Sequence, residues 1–249
     1  MKKALKRVLK IVLPGILIVG AAFVALHEDF YISEITIMGN DKVTNEEILR
    51  MLPFGGGEHL FAIPLRSAER IISSDPRIAW TEIQRRFGGK VVILVREEHP
   101  ALLFVADRLW GLTEKGIVIP FDEPFQIPNL IVLSCTNLEV AVSPYRAVEE
   151  PRVATGLEFF REIREKAPQF LDRISEIHVA ENDEVTAILT GDGLAVEFGR
   201  GDSERKFMRL AAILDNMGAN RASAVKIDLR YSDQAVVQLD HGTKKKVWG

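Results

Sequence analysis

Residues 31–53 read YISEITIMGNDKVTNEEILRMLP, and this stretch decides how the first folded part of the chain is built. Tyr31, Ser33, Ile35 and Ile37 alternate with Ile32, Glu34, Thr36 and Met38, the period of two that marks a β-strand, and Gly39-Asn40 is a turn that ends it. Thr44 followed by Glu47 is a capping box, in which hydroxyl and carboxylate satisfy each other's end-of-helix N–H groups. Ile48, Leu49 and Leu52 then supply an apolar helical face, closed by Pro53 and the Gly55-Gly56-Gly57 loop.

Toward the C-terminus, Pro64 stands at a favourable first position of a second helix carrying Leu65, Ala68, Ile71 and Ile72, which stops near Asp75-Pro76. Residues 78–84 and 90–96 are strand candidates, and the intervening Arg85-Arg86-Phe87-Gly88-Gly89 suits a hairpin. Strand, helix, helix, strand, strand over residues 28–100 predicts a three-stranded sheet with both helices on one face, leaving the other face and one edge available. From Ala101 onward short strands dominate: 101–106, 111–113, 116–120 and 129–133. A helix is expected over 151–167, with Val153, Leu157, Phe160, Ile163 and Arg164 at helical spacing and Pro168 ending it. Strands at 174–179, 185–189 and 194–198 precede a helix over 203–217 with Phe207, Leu210, Ala211 and Leu214 on one face. Two strands, 225–231 and 235–239, finish the fold. The class is α+β, the second part a mixed α/β domain dominated by an antiparallel sheet.

Toward the N-terminus, Lys2, Lys3, Lys6, Arg7 and Lys10 precede an uncharged aliphatic run from Ile11 to Leu26. A crossing needs about 20 residues, and Val8, Leu9 and a snorkelling Lys10 extend the run enough to predict a single transmembrane helix. Basic residues before it and Glu28-Asp29 after it keep the N-terminus cytoplasmic and export the rest. A cleaved signal peptide shares the basic start, the apolar core and the small residues Gly20, Ala21 and Ala22, but continuation through Phe23, Val24 and Leu26 favours retention. The chain therefore divides into a basic tail at 1–7, a span at 8–27, a first unit at 28–100, a second at 101–241 and a tail at 242–249.

The net charge of −3 gives no basic footprint for nucleic acid, so no nucleic-acid partner is expected. The single cysteine, Cys135, excludes an intrachain disulfide, and no Cys/His spacing resembles a zinc site. No Gly-x-Ser-x-Gly, Walker loop, His-Glu-x-x-His or Gly-x-Gly-x-x-Gly occurs. Gly55-Gly56-Gly57 lacks the Lys-Ser/Thr of a phosphate cradle and reads as a loop. Glu97-Glu98 and Glu149-Glu150 are adjacent in sequence and diverge, as solvated charge does. No catalytic residue, cofactor or metal is expected.

Several short motifs in order carry a resemblance. Gly39-Asn40 with Val43-Thr44 and Ile48, Leu60-Phe61, Pro76-Arg77-Ile78, Arg85-Arg86-Phe87 with Val91 to Val95, and Glu98-His99-Pro100-Ala101 resemble a POTRA domain and its exit. Gly116-Ile117-Val118, the Leu-x-Val-x-Phe-Gly run of Leu194 to Gly199, and Ile227-Asp228-Leu229-Arg230-Tyr231 resemble the β domain that follows it in the FtsQ/DivIB cell-division family. Gly88-Gly89 stands where that family often has a proline, and Gln238-Leu239 replaces the small-residue and tryptophan ending of some relatives.

The resemblance implies a non-enzymatic, single-pass inner-membrane scaffold. Its bulk would be periplasmic and placed at the division septum, where it binds FtsB and FtsL and influences FtsW and FtsI. It also implies that the C-terminal strands form the edge onto which FtsB adds a strand, with Arg230, Tyr231, Asp233, Val236 and Gln238 as the contacts. Read from alternation alone, Val225, Ile227, Leu229 and Tyr231 share one face of a half-buried strand, with Tyr231 capping the core. Phe54, Phe61 and Arg66 are implied as POTRA contacts with proteins such as FtsK, although Phe61 by itself reads as a core residue. Lys244-Lys245-Lys246 reads as a solvated end. The alternatives are a POTRA-containing periplasmic assembly or transport factor, which would need a long series of barrel strands, and a periplasmic enzyme released by signal cleavage.

Overall fold

A computed structural model describes residues 12–20, 27–121, 127–201, 203–232, 234–240 and 244–247. The chain divides into two compact units, Met1–Glu98 and His99–Gly249. Residues 12–20 are helical. Among the described residues no helix is long and apolar enough to cross a membrane, and half of the expected span, residues 8–11 and 21–26, lies outside them.

The first unit contains β1 (Glu34–Met38), α1 (Asn45–Met51), α2 (Leu65–Ile72), β2 (Ile78–Arg86) and β3 (Lys90–Glu97). The capping box forms as expected: Thr44 Oγ1 accepts from the Glu47 N–H at 3.2 Å, and the Glu47 carboxylate accepts from the Thr44 N–H at 2.9 Å. Pro64 lies one residue earlier than expected, at the N-cap of α2. The sheet runs β1-β3-β2, with β1 parallel to β3 and β2 antiparallel to it. Ile48, Ala68, Ile72, Val91 and Ile93 are fully buried between helices and sheet, each large aliphatic side chain stabilising the unit by roughly 1.5–3 kcal/mol.

Two ionic contacts close this unit. Arg77 pairs with Asp75 at 2.7 Å and with Glu47 at 3.1 Å, tying the start of β2 to the first turn of α1. The Arg77 hydrogen bonds hold the Asp75 carboxyl below its usual range, overcoming partial burial. Glu97, at the end of β3, is buried and not the solvated charge read from sequence: it accepts from the backbone N–H groups of Asp41, Lys42 and Val43 at 2.8, 3.1 and 2.8 Å. A carboxylate is the acceptor that three converging N–H donors require.

The second unit holds β4 (Leu102–Val105), β5 (Leu109–Leu112), β6 (Val118–Ile119), β7 (Val132–Cys135), α3 (Pro151–Lys166), β8 (Ile174–Val179), β9 (Val185–Leu189), β10 (Ala195–Gly199), α4 (Ser203–Met217), β11 (Ala224–Asp228), β12 (Ala235–Leu239) and β13 (Lys244–Val247). They make a ten-stranded sheet in the order β13-β12-β11-β10-β9-β8-β7-β4-β5-β6. Most neighbours are antiparallel, but β4–β7, β7–β8 and β10–β11 are parallel. The core cluster draws on Phe159, Phe160 and Ile163 of α3, Phe207, Leu210 and Leu214 of α4, and Leu133, Ile177, Val196 and Ile227 of the strands. The Phe207 ring centroid lies 4.7 Å from that of Phe198 and 5.4 Å from that of Phe170. Intervening strand residues, among them Glu176, His178, Thr186, Glu197 and Lys226, are half-buried on the other face.

Three expectations are corrected here. The strand placed at 129–133 forms at Val132–Cys135, where it pairs with β8. The strand expected to run to Tyr231 stops at Asp228, and an irregularity between Ala224 and Lys226 shifts its register. A bulge inserts a residue and reverses the facing before it, so Ala224 and Ile227 point inward while Val225 is exposed. The lysine-rich tail is a strand: Lys244–Val247 pairs antiparallel with β12, in the register Ala235↔Val247 to Gln238↔Lys244.

Candidate functional site

The expected binding site lies at the C-terminal end of the second unit's sheet. β10 and β11 run parallel, with Glu197 opposite Asp228, and the Leu229 N–H donates to the Glu197 carbonyl at 2.9 Å, carrying the pairing one residue past the strand. β12 returns antiparallel, placing Val236 opposite Asp228 and Gln238 opposite Lys226. Ala235 and Val237 point into the core, whereas Val236 and Gln238 are half-buried on the outer face.

Arg230 is the hub of this face. Its Nε donates to Asp228 Oδ1 at 3.0 Å and its second amino group to Oδ2 at 2.8 Å. The guanidinium also pairs with Glu197 at 3.1 Å and Glu184 at 3.1 Å, while Lys226 pairs with Glu197 at 2.5 Å. Burial alone would raise the Asp228 carboxyl; hydrogen bonds from the Arg230 side chain and backbone, with the Arg230 and Lys226 charges, outweigh it and hold it below the usual value. The same contacts, led by the Asp228 hydrogen bonds, raise Arg230 above its ordinary range. Gly199 makes room for this side chain: its φ is +63°, and a Cβ there would lie 2.8 Å from Arg230 Cγ. The glycine that ends the Leu194 to Gly199 run thus has a job in the site, which the sequence reading did not assign. Neither did it single out Glu184 or Glu197, which only strand order brings to Arg230, or Asp228, its neighbour two residues earlier.

Tyr231 does not cap the core. It is 49% exposed, because the strand has ended and the chain is turning. Arg209 of α4 holds that turn by donating to the carbonyls of Tyr231 at 2.8 Å and Ser232 at 3.3 Å. Asp233 lies outside the described residues. Arg230, Val236 and Gln238 therefore share the outer face, with Tyr231 just beyond it. The lateral edge of β12 is not open, however, since β13 lies against it.

The POTRA candidates separate. Phe54 is 7% exposed and belongs to the core. Phe61 is 58% exposed, against the core position read from sequence. It sits in a loop whose carbonyls at Leu60 and Ile63 accept from Arg85 at 2.6 and 2.9 Å, so the loop is pinned by its backbone and the ring remains outside. Arg66 is exposed on α2.

One further polar group resembles a catalytic set by residue type only. Ser134 Oγ donates to Glu176 at 2.5 Å and lies 2.7 Å from His178 Nδ1, whose Nε2 is 2.8 Å from Thr136 Oγ1. The serine has one proton and gives it to Glu176, so His178 Nδ1 is left to donate to the serine, whichever way the Nε2–Thr136 contact runs. A nucleophile–base–carboxylate relay needs the imidazole to take the serine proton. This chain runs the other way and cross-links β7 to β8. Cys135, beside it, has its thiol pushed up to about 11 by burial, away from the thiolate a nucleophile needs. Among the described residues no cluster of histidine, cysteine, aspartate and glutamate is placed to hold a metal ion.

Two family models match this chain. The POTRA domain of FtsQ type covers residues 30–98, and the C-terminal domain of cell division protein FtsQ/DivIB covers residues 107–230. The chain belongs to the FtsQ/DivIB family. Its similarity to family members named cell division protein FtsQ runs through both units. The relative from Geotalea daltonii is 26% identical over 210 residues, 84% of this chain and 76% of that one. The relative from Myxococcus fulvus is 28% identical over 221 residues, 86% and 76%. That from Geobacter sp. strain M21 is 24% identical over 198 residues, 79% and 72%. This is an FtsQ-family cell-division protein with a POTRA unit and a large sheet.

Proposed function

We propose that this FtsQ/DivIB member is a non-catalytic scaffold that binds the FtsB/FtsL pair through the C-terminal end of its sheet and thereby helps regulate FtsW and FtsI in septal wall synthesis. The observation that carries the reading is the end of the sheet itself. Beside β12 the outer face of β10 and β11 is fixed by Arg230, Glu197 and Asp228, and the lateral edge of β12 is covered by a strand with only four residue pairs. An edge so lightly covered is suited to strand addition, in which main-chain hydrogen bonds supply affinity and alternate side chains supply register. Arg230 enters this proposal in a changed role. Held by its own domain, it positions β11 and the turn, while Tyr231, Asp233, Val236 and Gln238 meet the partner.

The membrane arrangement is part of the same proposal: residues 8–27 span the inner membrane, 28–100 form the POTRA domain and 101–241 the β domain, both periplasmic. Support comes from the apolar run between Lys10 and Glu28, with cations on one side and carboxylates on the other. Alkaline extraction of membranes tests the anchor, since an anchored chain stays with the lipid. Binding of the full chain to the extracytoplasmic FtsB/FtsL segment tests the edge. Tyr231→Glu and Val236→Pro, each checked for folding by circular dichroism, are expected to weaken it at least tenfold. Binding undiminished in folded variants removes this edge from the interface.

A further inference from the structure

An aromatic surface gathers at the end of the POTRA unit where the chain enters it. The Phe30 ring lies 5.7 Å from Phe61 and 6.4 Å from His59, and Tyr31 lies 5.3 Å from His59. The β2–β3 hairpin tip comes to the same place: the Ser33 N–H donates to the Gly89 carbonyl at 2.8 Å. Gly89 approaches so closely that a Cβ would lie 2.2 Å from the Tyr31 carbonyl oxygen. Phe87, at that tip, is 82% exposed; Phe61 is 58% and Tyr31 37% exposed. Exposed arginines flank the rings. Arg66 and Arg70 line a shallow cavity with Pro64 and Arg85, Arg86 adjoins Phe87, and Arg85 stacks its guanidinium 5.9 Å from the Phe61 centroid. Carboxylates at this end are Glu28, Asp29 and Glu58, the last accepting from the Gly55 N–H at 2.9 Å, with Glu34 paired to Lys90.

Aromatic rings with cations beside them are what the boundary between lipid tails and headgroups selects. The distance also fits. Phe30 stands four residues after Leu26, the last apolar residue of the run, a reach of at most about 14 Å of chain. A tether this short supplies a high effective concentration, and a weak surface contact is then enough.

We propose that the POTRA unit rests on the bilayer that anchors it, with Phe61 and Phe87 in the interfacial layer and Arg66, Arg70 and Arg86 on lipid phosphates. The inference rests on the membrane-span reading above. Arg85 has a positioning role, holding the Phe61 loop by its carbonyls so that the ring faces outward. Met38, at the opposite end of β1 and also exposed, points to water.

The test uses the full chain in nanodiscs of phosphatidylcholine with phosphatidylglycerol, in a Cys135→Ser background, with a nitroxide on Phe87→Cys or on Met38→Cys. Collision with oxygen, which partitions into lipid, is compared with collision with a water-soluble nickel chelate. The label at 87 is expected to favour oxygen several-fold more than the label at 38. Adding Phe61→Ser and Arg66→Glu should bring it back toward the value at 38. Equal nickel access at both positions, in discs that keep the chain through alkaline carbonate, overturns the docking and leaves the anchor standing. Shielding from both colliders also overturns it, marking a contact with protein. Release of the chain by carbonate overturns the anchor, and the docking with it.

Discussion

Removal of residues 241–249 should strengthen binding of the FtsB/FtsL segment, and the size of the effect follows from β13. That strand contributes four residue pairs to the sheet. A ladder of that length makes about four hydrogen bonds, each worth a net 0.5–1.5 kcal/mol, or about 2–6 kcal/mol together. Ordering four backbone residues costs about 4–8 kcal/mol. The best case for the ladder exceeds the smallest ordering cost by about 2 kcal/mol, so the strand as built closes the edge by between zero and about 2 kcal/mol and leaves it open between about one-half and one-thirtieth of the time. A partner that needs the open edge binds with its affinity reduced by that fraction, so truncation after Asp240 should tighten binding between about two- and thirtyfold. Titration of a labelled FtsB/FtsL segment against the full and shortened chains in nanodiscs measures the ratio. Unchanged or weaker binding by the shortened chain refutes the competition; weaker binding would mean that the partner adds outside β13 and uses it as a template.

Three further outcomes test the packing that supports both units. Glu97→Ala strands three backbone N–H groups in the first unit and should cost about 2–4 kcal/mol in urea unfolding, with Glu97→Gln, which keeps one acceptor oxygen, losing roughly half as much. Lys206, buried in α4, donates to the carbonyls of Phe198, Arg200 and Gly201 at 2.7, 2.6 and 2.6 Å; Lys206→Met leaves those carbonyls without their cation and should cost about 2–4 kcal/mol, read by the same measurement. Asp228 has a depressed folded-state pKa. Its contribution is therefore present above the unfolded aspartate value, near 3.9, and is lost as pH falls through the lower folded value. Thermal melts of Asp228→Asn should show a shallower loss of stability below about pH 4 than the native chain, and parallel acid limbs would contradict the assignment.

The POTRA unit was largely legible because its signals are local. The Thr44–Glu47 capping box, the stop at Asp75-Pro76 and the hairpin spacing between residues 84 and 90 each act over a few residues. What alternation left open was the side-chain facing in loops. Phe54 and Phe61 have the same chemistry and similar surroundings in sequence. The Arg85 hydrogen bonds to Leu60 and Ile63, formed across the unit, pin the loop that leaves Phe61 outside, while Phe54 packs into the core.

The C-terminal edge shows the division most clearly. Sequence by itself determined that strands at 185–189 and 235–239 and helices at 151 and 203 form, since period, proline and length are properties of short segments. Tertiary structure decided the parallel pairing of β10 with β11, which depends on a crossover through α4 and not on either strand's residues. It decided the bulge at Ala224–Lys226, which turns Val225 outward, and the strand end at Asp228 that leaves Tyr231 on the surface. It also decided the fates of the charges. Arg230 is a partner contact as read from sequence and a saturated hub in the sheet, and Lys244-Lys245-Lys246 is a solvated tail in sequence and part of an edge strand once β12 offers unpaired backbone groups. The physical reason is the same in each case: hydrogen-bond pairing and charge neutralisation across strands depend on which neighbours the fold brings alongside, and that information is spread over residues far apart in the chain.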